Sequence, residues 1–223
     1  GRLWYRDRRP ADTDAEYMVR NWLNFNEMSG DHIVEQHVHN LDVANWFIGH
    51  PPNLAIGFGG RARRITGNQF DFFSIDFDYG DGCHIHSMCR QVNGCYTRIS
   101  EFFSGTEGQT WGNGRLKSTN DKKIEIPDFA EHGGPYVQEH IDLMQSIIDG
   151  KPLNEARRVA ESTLTAIMGR ISAYTGQLVR WSDLTENAKS PFYNRALSPS
   201  AEDFESGNVK APEDDVVPIP GKA

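Results

Sequence analysis

The stretch Gly30-Asp31-His32-Ile33-Val34-Glu35-Gln36-His37-Val38-His39-Asn40-Leu41-Asp42-Val43-Ala44-Asn45-Trp46 sets three of the chain's eight histidines beside three carboxylates. Its periodicity predicts one helix. At about 100° per residue, Glu35, His39, Asp42 and Trp46 share a stripe, while Val34, Val38, Leu41, Asn45 and Ile48 form a neighbouring, mostly apolar one. Acid-base groups then line one face and their anchors the next. Gly49-His50-Pro51-Pro52 supplies the stop, with glycine at the C-terminal cap and prolines just beyond.

Upstream, residues 2–6 read as a short strand, and Thr13 or Asp14 caps a helix carrying Tyr17, Met18 and Trp22 or Leu23 on its apolar side. Downstream, the period changes to two from Asn53 to about Ile126. Phe73, Ile75, Phe77 and Tyr79 alternate with Ser74, Asp76 and Asp78, and Gly80-Asp81-Gly82 makes a turn. Strands over Cys83–Val92 and, past Asn93-Gly94, Cys95–Ser104 complete an expected antiparallel meander. Leu54–Gly60, Thr110–Ser118 and Lys123–Ile126 are expected as edges or bulged strands. The helical period returns after Pro135: Val137, Ile141, Met144 and Ile148 line one helix, and Val159, Thr163, Ile167, Ile171 and Tyr174 a second. Leu178–Trp181 closes as a short strand.

This order predicts an α+β fold, an open, predominantly antiparallel sheet with helices on one face and the other face free for oligomerisation. Residues 1–187 are expected to form the domain, and the Pro- and acid-rich segment 188–223 an extended tail that is flexible or wraps a partner. The chain starts Gly1-Arg2-Leu3-Trp4-Tyr5, without initiator Met or leader, and reads as part of something longer, cytoplasmic or exported.

With 223 residues and a net charge of −8, the chain is not expected to bind nucleic acid, since its densest basic cluster is only Arg61, Arg63 and Arg64. No apolar run approaches the roughly 20 residues of a membrane span, so no membrane partner is expected. Cys83, Cys89 and Cys95 form no CxxC pair and read as small core residues on neighbouring strands. Gly57-Phe58-Gly59-Gly60 leads into Arg61 rather than a helix and gives no dinucleotide fingerprint.

Glu35, His39 and Asp42 form a candidate proton-transfer set, because imidazole titrates near neutrality and a carboxylate one turn away fixes its tautomer. The competing view is a solvated ladder of helix-surface pairs. A metal-dependent enzyme is a further alternative, built on His37-Val38-His39 and His84-Ile85-His86. On a helix, however, His37 and His39 point about 200° apart and cannot share an ion, so no metal is expected. Trp22 or Trp46 beside the histidine stripe is placed to flank a sugar.

The run from Gly30 to Trp46 resembles the Gly-rich, Asp-x-Gly-x-His-x-x-Asp segment in the C-terminal domain of the Gfo/Idh/MocA oxidoreductases, relatives of glucose-fructose oxidoreductase and inositol dehydrogenase. Gly105-Thr106-Glu107-Gly108 is similar to that family's turn after the long strands, and Ser172 to Trp181 to its closing helix, glycine and strand. The resemblance implies that His39 transfers the proton, Glu35 stands for the usual aspartate at the substrate and Asp42 supports the site. His37 stands where glycine is usual. The family's Glu-Lys-Pro lysine has no counterpart, and Gly150-Lys151-Pro152 is not it.

The resemblance thus implies the substrate-binding and oligomerising domain of an NAD(P)-dependent dehydrogenase acting on a sugar or polyol. Catalysis falls to His39, Glu35 and Asp42, and substrate contact to Glu35, His39, Trp22 and His37. NAD or NADP is expected in an N-terminal domain, with none bound to this chain, which alone is expected to be redox-inactive. A homo-oligomer, dimer or tetramer, is expected through the sheet face. The alternatives are a non-catalytic dimerisation module and an NAD-dependent glycosidase or lyase.

Overall fold

The computed structural model describes residues 4–111, 115–120, 124–125, 133–193 and 198–222. The helices are α1 (Asp14–Arg20), α2 (Asn26–Ser29), α3 (Asp31–Glu35), α4 (Val38–Ile48), α5 (Pro135–Ile148), α6 (Ala156–Thr175), α7 (Trp181–Thr185) and α8 (Ala201–Ser206), and a 3-10 turn covers Trp22–Asn24. The strands are β1 (Leu54–Gly60), β2 (Phe72–Gly80), β3 (Cys83–Arg90), β4 (Phe103–Ser104), β5 (Gly108–Thr110), β6 (Leu116–Ser118) and β7 (Val179–Arg180). The fold is α+β with open antiparallel sheets. The chain divides into two compact units, one of residues 1–97 with 161–223 and one of residues 98–160.

In the first unit the sheet order is β3-β2-β1-β7, antiparallel throughout. Phe73, Ile75, Phe77 and Tyr79 are buried on one face of β2, as a period-two strand with one covered side requires. Leu41, Ala55, Phe70, Ala166 and Met168 complete that core. The alternate residues carry an uncovered face among the described residues, on which Phe58 is 73% and Met88 69% exposed beside Ile56 and Phe72.

Several expectations meet a different structure. The Gly30–Trp46 helix is two helices, because the chain breaks at Gln36 and His37, where the amides of both reach back to the same His32 carbonyl at 3.1 and 3.0 Å. Leu54–Gly60 is interior, paired on both sides by β2 and β7. The strand expected over Cys95–Ser104 shrinks to Phe103–Ser104, paired with β5 in a separate sheet. Past Arg90 the Gln91 amide still bonds the Asp71 carbonyl at 2.9 Å, and Arg90 Nη2 donates to the Tyr96 carbonyl at 2.8 Å. Residues 5–6 form no strand either: the Asn21 side chain bonds both the Arg6 amide, at 2.8 Å, and the Arg6 carbonyl, at 3.1 Å. The strand expected at Lys123–Ile126 lies partly outside the described residues, as do Gly1–Leu3.

α6 buries only part of the stripe that its large residues suggested. Of the expected stripe Tyr174 is buried and Ile171 packs on the core, and the rest of the buried set is Ser162, Thr165, Ala166, Met168, Gly169, Ser172 and Ala173. The reason is the aromatic relief of β2: a Cβ on Gly169 would stand 2.7 Å from Phe77 Cζ, so only a small-residue groove admits that ring. In the second unit, β4, β5 and β6 form an antiparallel sheet and Arg115 lies over the Trp111 ring at 4.6 Å. The expected apolar stripe of α5, Val137, Ile141, Met144 and Ile148, is exposed.

The segment after residue 187 is less extended than its composition suggests. α8 carries a capping box from Ser200 and Asp203, and Val209 is buried with Tyr17, Met18 and Phe25. Further on, the Asp215 amide bonds the Ile65 carbonyl at 3.0 Å and the Gly221 amide the Tyr174 carbonyl at 2.7 Å. Among the described residues no helix is long and apolar enough to cross a membrane.

Candidate active site

Gly30 and Asp31 are consecutive left-handed residues, with φ of 71° and 68°, and they turn the chain from α2 into α3. Glycine adopts this conformation freely, and aspartate is among the few other residues that tolerate it. Asp31 is completely buried and fixes the turn: Oδ1 accepts from the Phe70 amide and the Tyr174 hydroxyl, each at 2.9 Å, and Oδ2 accepts from Arg170 Nε. Burial works against the Arg170 charge, but Asp31 and Tyr174 outweigh it and hold the guanidinium above its usual pKa. This buried network presents α3 to the site.

Glu35 ends α3, half-buried. Burial raises its carboxyl above the usual range, opposed by the charges of His39 and Arg64. His39, the second residue of α4, is exposed. The two therefore stand on opposite sides of the joint at Gln36 and His37, within electrostatic reach, with His39 open to a ligand. His37 does not join them as a free ligand, because its Nε2 lies 2.8 Å from Oγ of the buried Ser87 on β3.

Asp42 is tied to α6: its Oδ1 accepts from Ser162 Oγ at 2.6 Å. Next to it Asn45 Nδ2 donates to Thr165 Oγ1 at 3.0 Å, and the Tyr79 hydroxyl donates to Asn45 Oδ1 at 2.8 Å. Trp22 lies in the 3-10 turn, partly exposed, and Trp46 is exposed with its ring edge-on to Phe47. The second His-x-His pair sits on the uncovered sheet face. His84 Nδ1 bonds Asp76 Oδ2 at 2.9 Å, which raises the imidazole above its ordinary pKa. Among the described residues no three of His, Cys, Asp and Glu converge to hold a metal ion.

The Gly57-Phe58-Gly59-Gly60 run is strand rather than a phosphate loop. Gly57 lies mid-strand, where a Cβ would stand 2.2 Å from Ile75 Cδ1, and its amide is taken by Ser172 Oγ at 3.0 Å. Its role is close sheet-to-helix packing.

The chain can be compared with known structures. Its fold is shared with solved oxidoreductases. WlbA dehydrogenase from Bordetella pertussis, solved in complex with NADH and UDP-GlcNAcA, matches with a TM-score of 0.53 at 20% identity, over 79% of this chain and 51% of that one. A Thermotoga maritima protein assigned to the oxidoreductases matches with a TM-score of 0.55 at 19% identity, over 79% and 52%. GenD2 from gentamicin A biosynthesis, solved in complex with NAD, matches at 0.51 and 18%, over 76% and 51%. The chain spans about half the length of these oxidoreductases. No protein-family model matches the chain, and no curated protein sequence does.

Sequence reasoning selected Glu35, His39 and Asp42 through their chemistry and spacing, but missed what holds them. Asp31 was visible only as a carboxylate after a glycine, and its partners Phe70, Arg170 and Tyr174 lie far along the chain. Ser162, Ser87 and Arg64 carried no signal of their own, since a buried serine or arginine is recognised by its partners rather than by its neighbours in sequence.

Proposed function

We infer that the chain is the substrate-binding and oligomerising portion of an NAD(P)-dependent oxidoreductase of the Gfo/Idh/MocA kind, acting on a sugar or polyol hydroxyl. The observation that carries this reading is the exposed His39 beside half-buried Glu35, in a fold shared with NAD-bound GenD2 and NADH-bound WlbA dehydrogenase. His39 takes the proton of the substrate hydroxyl, Glu35 orients that hydroxyl, and Asp42 holds α4 against α6 so that the imidazole keeps its place. Trp22 flanks the substrate, and His37, anchored on Ser87, shapes the floor. The UDP-GlcNAcA bound by WlbA supports a sugar as the substrate class.

In this reading residues 1–187 are the substrate domain, with 188–223 braced along it. The nicotinamide cofactor belongs, in the same reading, to a separate cofactor-binding portion. The uncovered sheet face with Ile56, Phe58, Phe72 and Met88 is the surface for a homo-oligomer, since an apolar patch of this kind seeks a partner.

The same face favours a second reading, a dimerisation module without catalysis. His39→Ala in the intact protein separates the two. Turnover of a sugar or polyol should fall by roughly 10²- to 10⁴-fold with unchanged mass by light scattering. Unchanged turnover would remove the catalytic reading and leave the module.

A further inference from the structure

Of the residues of β3, the buried one is a serine. Ser87 is 7% exposed, opposite the fully buried Ile75 of β2 and on the same face as Ile85 and Cys89, which pack against the core. An apolar side chain would fill that position at lower cost, because a hydroxyl withdrawn from water has to be bonded. The bond is to His37, whose Nε2 lies 2.8 Å from Ser87 Oγ across 50 residues of chain. The serine is therefore explained by its partner rather than by packing.

His37 stands in the joint, between Glu35 at the end of α3 and His39 in the first turn of α4. A residue at the N-cap commonly turns its side chain back onto the free amides of its own helix, but the His37 ring makes no such cap and goes to the sheet instead. Its backbone meanwhile closes both sides of the joint. The amide donates to the His32 carbonyl of α3 at 3.0 Å, and the carbonyl accepts from the Asn40 and Leu41 amides of α4 at 3.1 and 3.3 Å. Gln36, the other residue of the joint, has an exposed side chain. A ring fastened to Ser87 thus ties the last turn of α3 and the first turn of α4 to β3, and those two turns carry Glu35 and His39.

We propose that Ser87 is a positioning residue of the Glu35–His39 site, a buried hydroxyl that holds the joint through His37 and so keeps carboxylate and imidazole in a fixed relation. The proposal rests on the reading of Glu35 and His39 given above. Asp31 anchors α3 at its start, and Ser162 anchors α4 at Asp42, beyond His39. Ser87 acts at the joint itself, where a small displacement moves both reactive groups. Misplacing such groups by about 1 Å is enough to cost roughly 100-fold in rate.

The test is amide hydrogen exchange followed by NMR in the intact protein, comparing the wild type with Ser87→Ala, His37→Phe and the double variant. His37→Phe keeps a ring at the joint without the nitrogen, so the comparison survives if Ser87→Ala fails to fold. Loss of this one bond should speed exchange at Gln36, His37, Asn40 and Leu41 by roughly 3- to 10-fold while the β1–β2 ladder keeps its wild-type rates, and the double variant should exchange no faster than either single one. Unchanged rates at the joint in a folded variant, equal acceleration of joint and ladder as a merely structural serine would give, or additive effects in the double variant would each overturn the proposal. Turnover is the second readout. On the sugar or polyol used to test His39→Ala, either single variant should lower kcat by roughly 10- to 100-fold with KM nearly unchanged. Turnover lost in His39→Ala but kept in both single variants would remove Ser87 alone from the site. Turnover kept in all three would remove the catalytic reading, and this proposal with it.

Discussion

Ser162 Oγ stands 2.6 Å from Asp42 Oδ1 and donates to it, so the helix that carries His39 is bonded directly to the long helix crossing the sheet. Ser162 is almost wholly buried, and a hydrogen bond to a charged acceptor is worth more than one between neutral groups. Ser162→Ala should lower stability by about 1.5–3 kcal/mol, read as a shift in urea midpoint with unchanged slope. A midpoint equal to the wild type would show that Asp42 does not depend on this bond.

Asp31 separates a charge effect from a backbone effect. Asparagine tolerates the left-handed conformation that Asp31 adopts, so Asp31→Asn keeps the turn while removing the partner of Arg170. Breaking a buried pair on one side costs about 3–5 kcal/mol. Asp31→Ala should lose roughly 1 kcal/mol more, because alanine is strained at this φ. Equal stability of Asp31→Asn and wild type in chemical denaturation would refute the pairing.

His32 predicts an acid-sensitive fold. Its folded pKa is about 4, below the ordinary 6.5, so between those values the unfolded chain binds a proton that the native state does not. Stability is therefore fully present above pH 6.5 and is lost as pH falls toward 4. The full shift corresponds to at most about 3 kcal/mol. His32→Gln should flatten the pH dependence of stability in that window, and an unchanged curve would mean that other groups govern it.

Two glycines with similar φ should differ sharply. A Cβ on Gly67 would lie 1.7 Å from the Asn24 carbonyl oxygen, whereas one on Gly150 meets nothing within 4 Å. Gly150→Ala should cost only the left-handed penalty of about 1–2 kcal/mol. Gly67→Ala must displace backbone and should fail to accumulate as folded protein, as judged by circular dichroism and yield. Similar behaviour of the two variants would contradict the close approach of the loop to Asn24.

Much of this was legible in the chain. The β2 alternation survives because one face is buried and the next strand pairs in register, and the stop at Gly49 survives because its φ of 96° suits glycine. The break at Gln36 and His37 was hidden, since neither residue is a breaker and the cause is a shared carbonyl one turn back. The buried face of α6 was read only in part: Tyr174 was legible, whereas the small residues that the aromatic rings of β2 demand were not. In the candidate site, the reactive pair was visible through its chemistry. Its supports were not, because Asp31 meets Arg170 across 139 residues and Asp42 meets Ser162 across 120.

The joint between α3 and α4 changes what can vary in this molecule. Were Glu35 and His39 on one continuous helix, their separation would be set by helical pitch, and any adjustment would drag the anchors of both. Here the carboxylate hangs from the Asp31 turn and the imidazole from the Ser162 contact, two independent mountings with a hinge-like pair of residues between them. Substitutions at Gln36 and His37 can thus re-aim the Glu35 carboxylate against the His39 imidazole while each mounting stays fastened.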